Sequence, residues 1–142
     1  MDRASELTKQ MLEEFDTITV VGLSVDPMKS AHSVPAAMQA YGWRVIPVNP
    51  HADEILGEQV YRRLADVPGG VGFVNVFRPS PDCPDIARQA VAAGAKALWL
   101  QLGIFLAEAR EIAESAGLLY VEDRCIAVER ARHAIRRPLS AA

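Results

Sequence analysis

Five short runs of β-branched and apolar residues alternate with helical stretches, and this alternation constrains the chain more than any other feature. The runs are residues 17–23, 44–48, 72–77, 97–100 and 118–121. Helices of about ten residues between successive strands require parallel pairing through right-handed crossovers. The run 72–77 is almost wholly apolar, as a strand covered on both faces must be. The expected fold is therefore α/β: a Rossmann-like, doubly wound, five-stranded parallel sheet with strand order 3-2-1-4-5. Its ligand crevice would lie beyond the carboxyl ends of the strands, near the first one. Helices are expected over 5–15, with Ser5 as N-cap, and from about Ser33, with Pro35 in the first turn. A short helix around 62–67 and longer ones over 84–93, 106–116 and 125–136 complete the pattern.

A chain of 142 residues fits a single domain, assigned here to residues 1–137 with a flexible tail at 138–142. A net charge of −3 argues against a general nucleic-acid binder, which carries a basic excess. The run Arg130, Arg132, Arg136 and Arg137 reads as a solvated helix end, with cations near the negative end of the dipole. The N-terminus has neither a basic leader nor an apolar core of a signal segment, and no apolar run is long enough for a membrane helix. Cys83 and Cys125 are too few for a disulfide scaffold, so the expected setting is cytoplasmic and reducing. No metal-ligand spacing links His32, His51 and His133. Apolar helix faces leave a homodimer, or pairing with another protein, open.

The expected topology gathers the loops 24–33, 49–53, 78–83, 101–105 and 122–125 on one edge. In the first, Gly22, Leu23 and Ser24 end a strand, and Lys29, Ser30 and Ser33 lead into a helix. Backbone amides at a helix start beside a lysine suit a phosphate. No second or third glycine follows Gly22, so the dinucleotide fingerprint is absent, and Lys29 does not sit in a P-loop. Lys29 reads either as a phosphate contact or as an exposed loop lysine.

Strand 2 ends in neutral Asn49 and Pro50, where an NAD-binding domain carries an acid for the ribose hydroxyls. An amide accommodates a phosphorylated ribose; a plain Asn-Pro turn is the alternative. Strand 3 ends in Phe77, Arg78, Pro79, Ser80 and Pro81, whose prolines make a stiff apolar wall for a flat base. Arg78 would stack on the base or meet a phosphate, unless a local carboxylate holds it. Cys125, at the start of the last helix beside Arg124, has its thiolate favoured by the helix dipole and could exchange with a ligand thiol; a merely buried cysteine is the other reading. Glu129 and His133, four residues apart, read as a helix-surface pair rather than an acid–base dyad.

Six blocks of these residues carry a family resemblance: Val20–Ser24, Tyr41–Pro50, Ile55–Glu58, Val76–Arg78, Ala97–Gly103 and Asp123–Cys125. Over residues 12–133 the chain resembles the small bacterial CoA-binding proteins, which are similar to a free-standing CoA-binding domain of the succinyl-CoA synthetase α subunit. The resemblance implies coenzyme A held across the carboxyl edge of the sheet. Gly22, Ser24 and Lys29 would hold its phosphates, Asn49 and Pro50 would border the ribose, and Val76 to Pro79 the adenine. Gln101, Gly103, Ile104, Arg124 and Cys125 would follow the pantetheine arm. The chain departs from the synthetases in ending soon after the CoA-binding unit, so neither a domain with a phosphorylated histidine nor the nucleotide-activating partner is expected, and hence no thioester formation by the chain itself.

The expected function is thus a soluble module that binds coenzyme A or an acyl-CoA as carrier, store or sensor, without self-contained catalysis and without nucleic-acid or membrane partners. Two rivals remain: a small thiol-exchange or acyl-transfer enzyme using Cys125, and an NAD-type nucleotide sensor. The lack of further glycines after Gly22 and the non-acidic Asn49 count against the second.

Overall fold

A computed structural model describes residues 1–139. Of the expected tail, Pro138 and Leu139 are exposed, and 140–142 lie outside the described residues. The elements in chain order are α1 (Arg3–Glu14), β1 (Thr17–Val21), α2 (Ser30–Ala40), β2 (Arg44–Val48), β3 (Glu54–Ile55), β4 (Glu58–Gln59), β5 (Phe73–Val76), α3 (Cys83–Ala92), β6 (Ala97–Leu100), α4 (Ala107–Ser115), β7 (Leu119–Val121) and α5 (Ile126–His133). Single 3-10 turns at Leu64–Asp66 and Ser80–Asp82 replace the expected short helix near 62–67 and precede α3. No helix among the described residues is long and apolar enough to cross a membrane.

The five-stranded parallel sheet is as expected, but its order is not. The strands run β2-β1-β5-β6-β7, which in sequence rank is 2-1-3-4-5 instead of 3-2-1-4-5. Pro47 supplies the reason. The expected order would place β2 inside the sheet, where a residue without an N–H breaks one of the two ladders. On the edge that gap faces outward. The inner side of β2 stays intact, since Gly22 N donates to Val48 O at 3.0 Å and Arg44 N to Asp16 O at 2.9 Å. The outer side receives only a brief contact, Tyr61 N to Pro47 O and Asn49 N to Tyr61 O, both 3.0 Å. The chain then recrosses and pairs β5 with β1, Val76 opposite Val21.

Period-2 alternation along the strands divides the core in two. Ile46, Val48, Val74, Val76, Leu98 and Leu100 pack under α3 and α4. Ile18, Val20, Val45, Phe73, Trp99 and Val121 pack under α1, α2 and α5. Both tryptophans are buried and both indoles donate outward from the core, Trp43 Nε1 to Phe15 O and Trp99 Nε1 to Arg124 O, each at 2.8 Å.

The C-terminal arginines are only in part a solvated helix end: Arg130 and Arg132 stand in the last turn of α5, and Arg132 and Arg136 are exposed, but three of the four also pack on other elements. Arg130 lies 3.6 Å from the Tyr41 ring centroid and Arg136 5.1 Å from it. Arg137 donates to Leu12 O and Glu13 O, both at 3.0 Å, satisfying carbonyls left open at the end of α1. The segment after α5 passes so close to Gly42 that an added Cβ would stand 2.1 Å from Arg137 O. Only glycine fits there, at φ +106°.

Candidate functional site

In an open parallel sheet the ligand crevice forms where successive crossovers leave a strand pair in opposite directions. Here that pair is β1 and β5. A cleft of about 790 Å³ opens at their carboxyl ends, with Gly22, Lys29, Asn49, Phe77, Arg78 and Arg63 among its lining.

Gly22 sets the floor. Its φ is +91°, and an added Cβ would meet Phe77 O at 2.6 Å and Arg78 Cδ at 3.0 Å. The missing side chain lets the two strand ends approach, sealed by Phe77 N to Val21 O at 2.9 Å.

The loop after Gly22 is held rigid. Helix α2 starts at Ser30 rather than Ser33, with Lys29 as N-cap, so Pro35 falls beyond its first turn. Pro35 cannot donate to Ala31 O, four residues back; Ser24 N donates to that oxygen instead, at 3.0 Å. His32 Nδ1 meets Ser24 O at 2.6 Å, and Asp26 N donates to Ser24 Oγ at 3.0 Å. Lys29 is exposed at the cleft and has no side-chain partner among the described residues.

Asn49 works as a bracket. Its Nδ2 donates to Leu23 O at 2.9 Å, and its Oδ1 accepts from His51 N at 2.8 Å and Ala52 N at 2.9 Å. It lines the cleft, but this amide already joins two loops. Arg78 is held by Asp82 at 2.9 Å, the local-carboxylate reading of that residue. Arg62 clamps the 49–53 loop, donating to Asn49 O at 3.1 Å, His51 O at 3.4 Å, Asp53 Oδ1 at 2.8 Å and also to Ala52 O.

Of the residues expected at the site, Gly22, Ser24, Lys29, Asn49, Pro50, Phe77 and Arg78 line this cleft. Leu23 and Val76 are buried in the core. Ser30 and Ser33 are exposed on α2, and Pro79 is exposed past the end of β5, none of them in the lining. Gln101 is buried and accepts from Ile126 N at 3.2 Å, capping α5. Gly103 N donates to Asp123 Oδ1 at 2.7 Å, and Asp123 N to Ile104 O at 3.1 Å, which ties those two loops together.

Arg124 and Cys125 line a different cleft, of about 730 Å³, along the outer side of β7. The strand order explains the separation. With β5 between β1 and β6, the end of β7 stands three strand spacings from β1, ~14 Å, rather than two. The pair Arg62 and Arg63 escaped the sequence reading. Its signal was position, just after the segment that returns to the end of strand 2.

One further pair differs from expectation. Glu129 is only 2% exposed. It takes Thr8 Oγ1 at 3.1 Å, Arg124 at 3.4 Å and Arg132 at 3.0 Å, and Thr8 also meets His133 Nε2 at 2.9 Å. The expected surface pair is thus a buried joint between α1 and α5. Cys83 is buried, and desolvation, reinforced by the Asp82 carboxylate, pushes its thiol up to about 11. Among the described residues no cluster of three or more His, Cys, Asp or Glu is arranged to hold a metal ion.

The family model described as a CoA binding domain matches residues 16–131. The chain belongs to the CoA-binding domain family. This family member is 37% identical over 123 residues to uncharacterized protein YneT of Bacillus subtilis, covering 87% of this chain and 91% of that protein. The solved structure of Prb, a PH1109 protein redesigned for binding, superposes with a TM-score of 0.89 at 29% identity, over 96% of each chain. A 63-residue stretch is 33% identical to the α subunit of an ADP-forming acetate–CoA ligase of Pyrococcus furiosus, covering 44% of this CoA-binding domain protein and 14% of the ligase subunit.

Proposed function

We propose that this protein binds coenzyme A or an acyl-CoA, with the nucleotide in the β1/β5 cleft and the pantetheine arm directed past the ends of β5, β6 and β7. The observation that carries the reading is the cleft itself: a glycine floor, a helix start and the uncommitted cations Lys29 and Arg63 around about 790 Å³. That volume lies within the roughly 300–1,000 Å³ of small-molecule sites. Cationic walls at a helix start fit a polyphosphate, and membership in the CoA-binding domain family supports coenzyme A as the polyphosphate concerned. The ligase relative bears CoA in its name and supports the same ligand class.

The role we assign is carrier, store or sensor, without turnover by the chain alone. Glu129 and His133, the carboxylate and imidazole four residues apart on α5, are engaged with Thr8 in the α1–α5 joint, away from the β1/β5 cleft.

The test is the melting temperature with coenzyme A, dephospho-CoA, acetyl-CoA and NAD. Ligand at 100 times its dissociation constant adds about 2.7 kcal/mol, a rise of several degrees for a domain of this size. A shift with coenzyme A and none with NAD is expected. A shift with NAD alone, or with none of the four, overturns the reading.

A further inference from the structure

We propose that Arg63 reads the 3′-phosphate of coenzyme A and so sets the preference of this cleft for coenzyme A over its dephosphorylated form. The inference rests on the functional reading above and assigns a part of the ligand to a residue which that reading leaves unassigned.

In doubly wound sheets the ribose hydroxyls lie at the end of the second strand, and a nearby arginine accommodates a phosphate on that ribose. In this molecule the chain comes back to that point. Tyr61 is bridged to Val48, the last residue of β2, and Leu64 is buried in the core at 1% exposure. Arg63 lies between these two anchors, in extended backbone at φ −144°. Its root is fixed while its side chain is exposed and lines the cleft.

The other cleft arginines are committed. Arg62 is bonded to the 49–53 loop and Arg78 to Asp82. Asn49 uses its amide on Leu23 O and its oxygen on two backbone amides. Of the cleft's two carboxylates, Asp82 is paired with Arg78, and Asp85 accepts from Gln89 Nε2 at 2.8 Å. Among the described residues this leaves Lys29, at the start of α2, and Arg63, at the end of β2, as separate cationic points of one cleft. Coenzyme A carries two separate anionic groups, a pyrophosphate and a ribose phosphate. The helix start with Lys29 suits the first, and the planar fork of Arg63 suits the terminal phosphate.

Calorimetric titration of coenzyme A and dephospho-CoA into the unsubstituted protein, Arg63→Ala and Lys29→Ala tests the assignment. Arg63→Ala is expected to weaken coenzyme A about tenfold or more while leaving dephospho-CoA within twofold. Lys29→Ala should weaken both ligands together. If the unsubstituted protein binds coenzyme A but Arg63→Ala leaves the ratio of the two affinities unchanged, the assignment of Arg63 fails and the functional reading stands. If the unsubstituted protein binds neither ligand, both fail.

Discussion

Ser24 N donates to Ala31 O at 3.0 Å, the carbonyl that Pro35 leaves without a helical donor. A proline that weakens α2 therefore anchors the loop at the mouth of the cleft. Pro35→Ala restores a competing N–H. The Ser24 amide should then exchange with solvent about fivefold faster, the equivalent of ~1 kcal/mol for one hydrogen bond. Hydrogen exchange read residue by residue checks this, and an unchanged Ser24 rate would remove Pro35 from the design of the loop.

Gly22→Ala should cost more stability than Gly57→Ala. Both glycines have positive φ, but only Gly22 faces a backbone oxygen, with Phe77 O at 2.6 Å from an added Cβ, whereas Gly57 has nothing within 4 Å. The conformational strain alone is about 1–2 kcal/mol. Urea unfolding should show roughly that for Gly57→Ala and a distinctly larger loss for Gly22→Ala. Equal losses would mean that β1 and β5 can move apart at no cost.

The two cysteines should separate in labelling and in alkaline stability. Cys125 is half-buried and Cys83 fully buried, so a thiol reagent should titrate one thiol in the native protein and two in urea. The Cys83 thiol ionises near 9.0 when unfolded and near 11 when folded, because burial disfavours the thiolate. The unfolded chain loses its proton first, so stability should decline as pH rises from about 9 to 11. Cys83→Ala should flatten that part of the profile. Burial also raises Tyr120, followed in effect by its hydrogen bond to Glu122; its share of the decline begins at higher pH and should persist in the variant.

Glu129→Ala should destabilise the protein by about 2 kcal/mol, the scale of charged hydrogen bonds lost at a buried site. Thr8→Ala should cost less, since it removes one partner of several. The double variant should lose less than the sum of the two, because the residues share a bond. Strict additivity in chemical denaturation would show that the α1–α5 joint is not cooperative.

Lys29→Ala should weaken coenzyme A binding by about 1–2 kcal/mol, the scale of one charge-assisted contact. Because the lysine is exposed, the deficit should shrink as salt screens the remaining attraction. Unchanged affinity at low salt would take Lys29 out of the site.

The strands were legible because β-branched runs such as Thr17–Val21 and Arg44–Val48 are bounded by glycine, proline or charge. The loop ends Gly22, Lys29, Asn49 and Phe77 were legible for the same reason: the carboxyl edge of a parallel sheet is fixed by topology. The strand order was less legible: Pro47 lies within the run of β2, and only its missing N–H excludes that strand from the interior of the sheet. That one difference in order sets β7 a strand farther from β1, so Arg124 and Cys125 line the cleft along β7 and not the β1/β5 cleft. The roles of Asn49 and Glu129 were hidden for another reason. Each depends on partners distant in sequence, Leu23 for one and Thr8 for the other, and no local pattern announces them.

The position of Pro47 also bears on how the molecule behaves in a crowd of its own kind. An open parallel sheet offers two margins on which a stranger's backbone could grow. On the β2 margin Pro47 has no N–H to give and Tyr61 already occupies its carbonyl. On the β7 margin the strand is three residues long, flanked by the Arg110–Glu122 ion pair at 3.3 Å. One side is closed by a missing hydrogen, the other by brevity and charge, so the fold resists fibril-like growth by two unrelated devices.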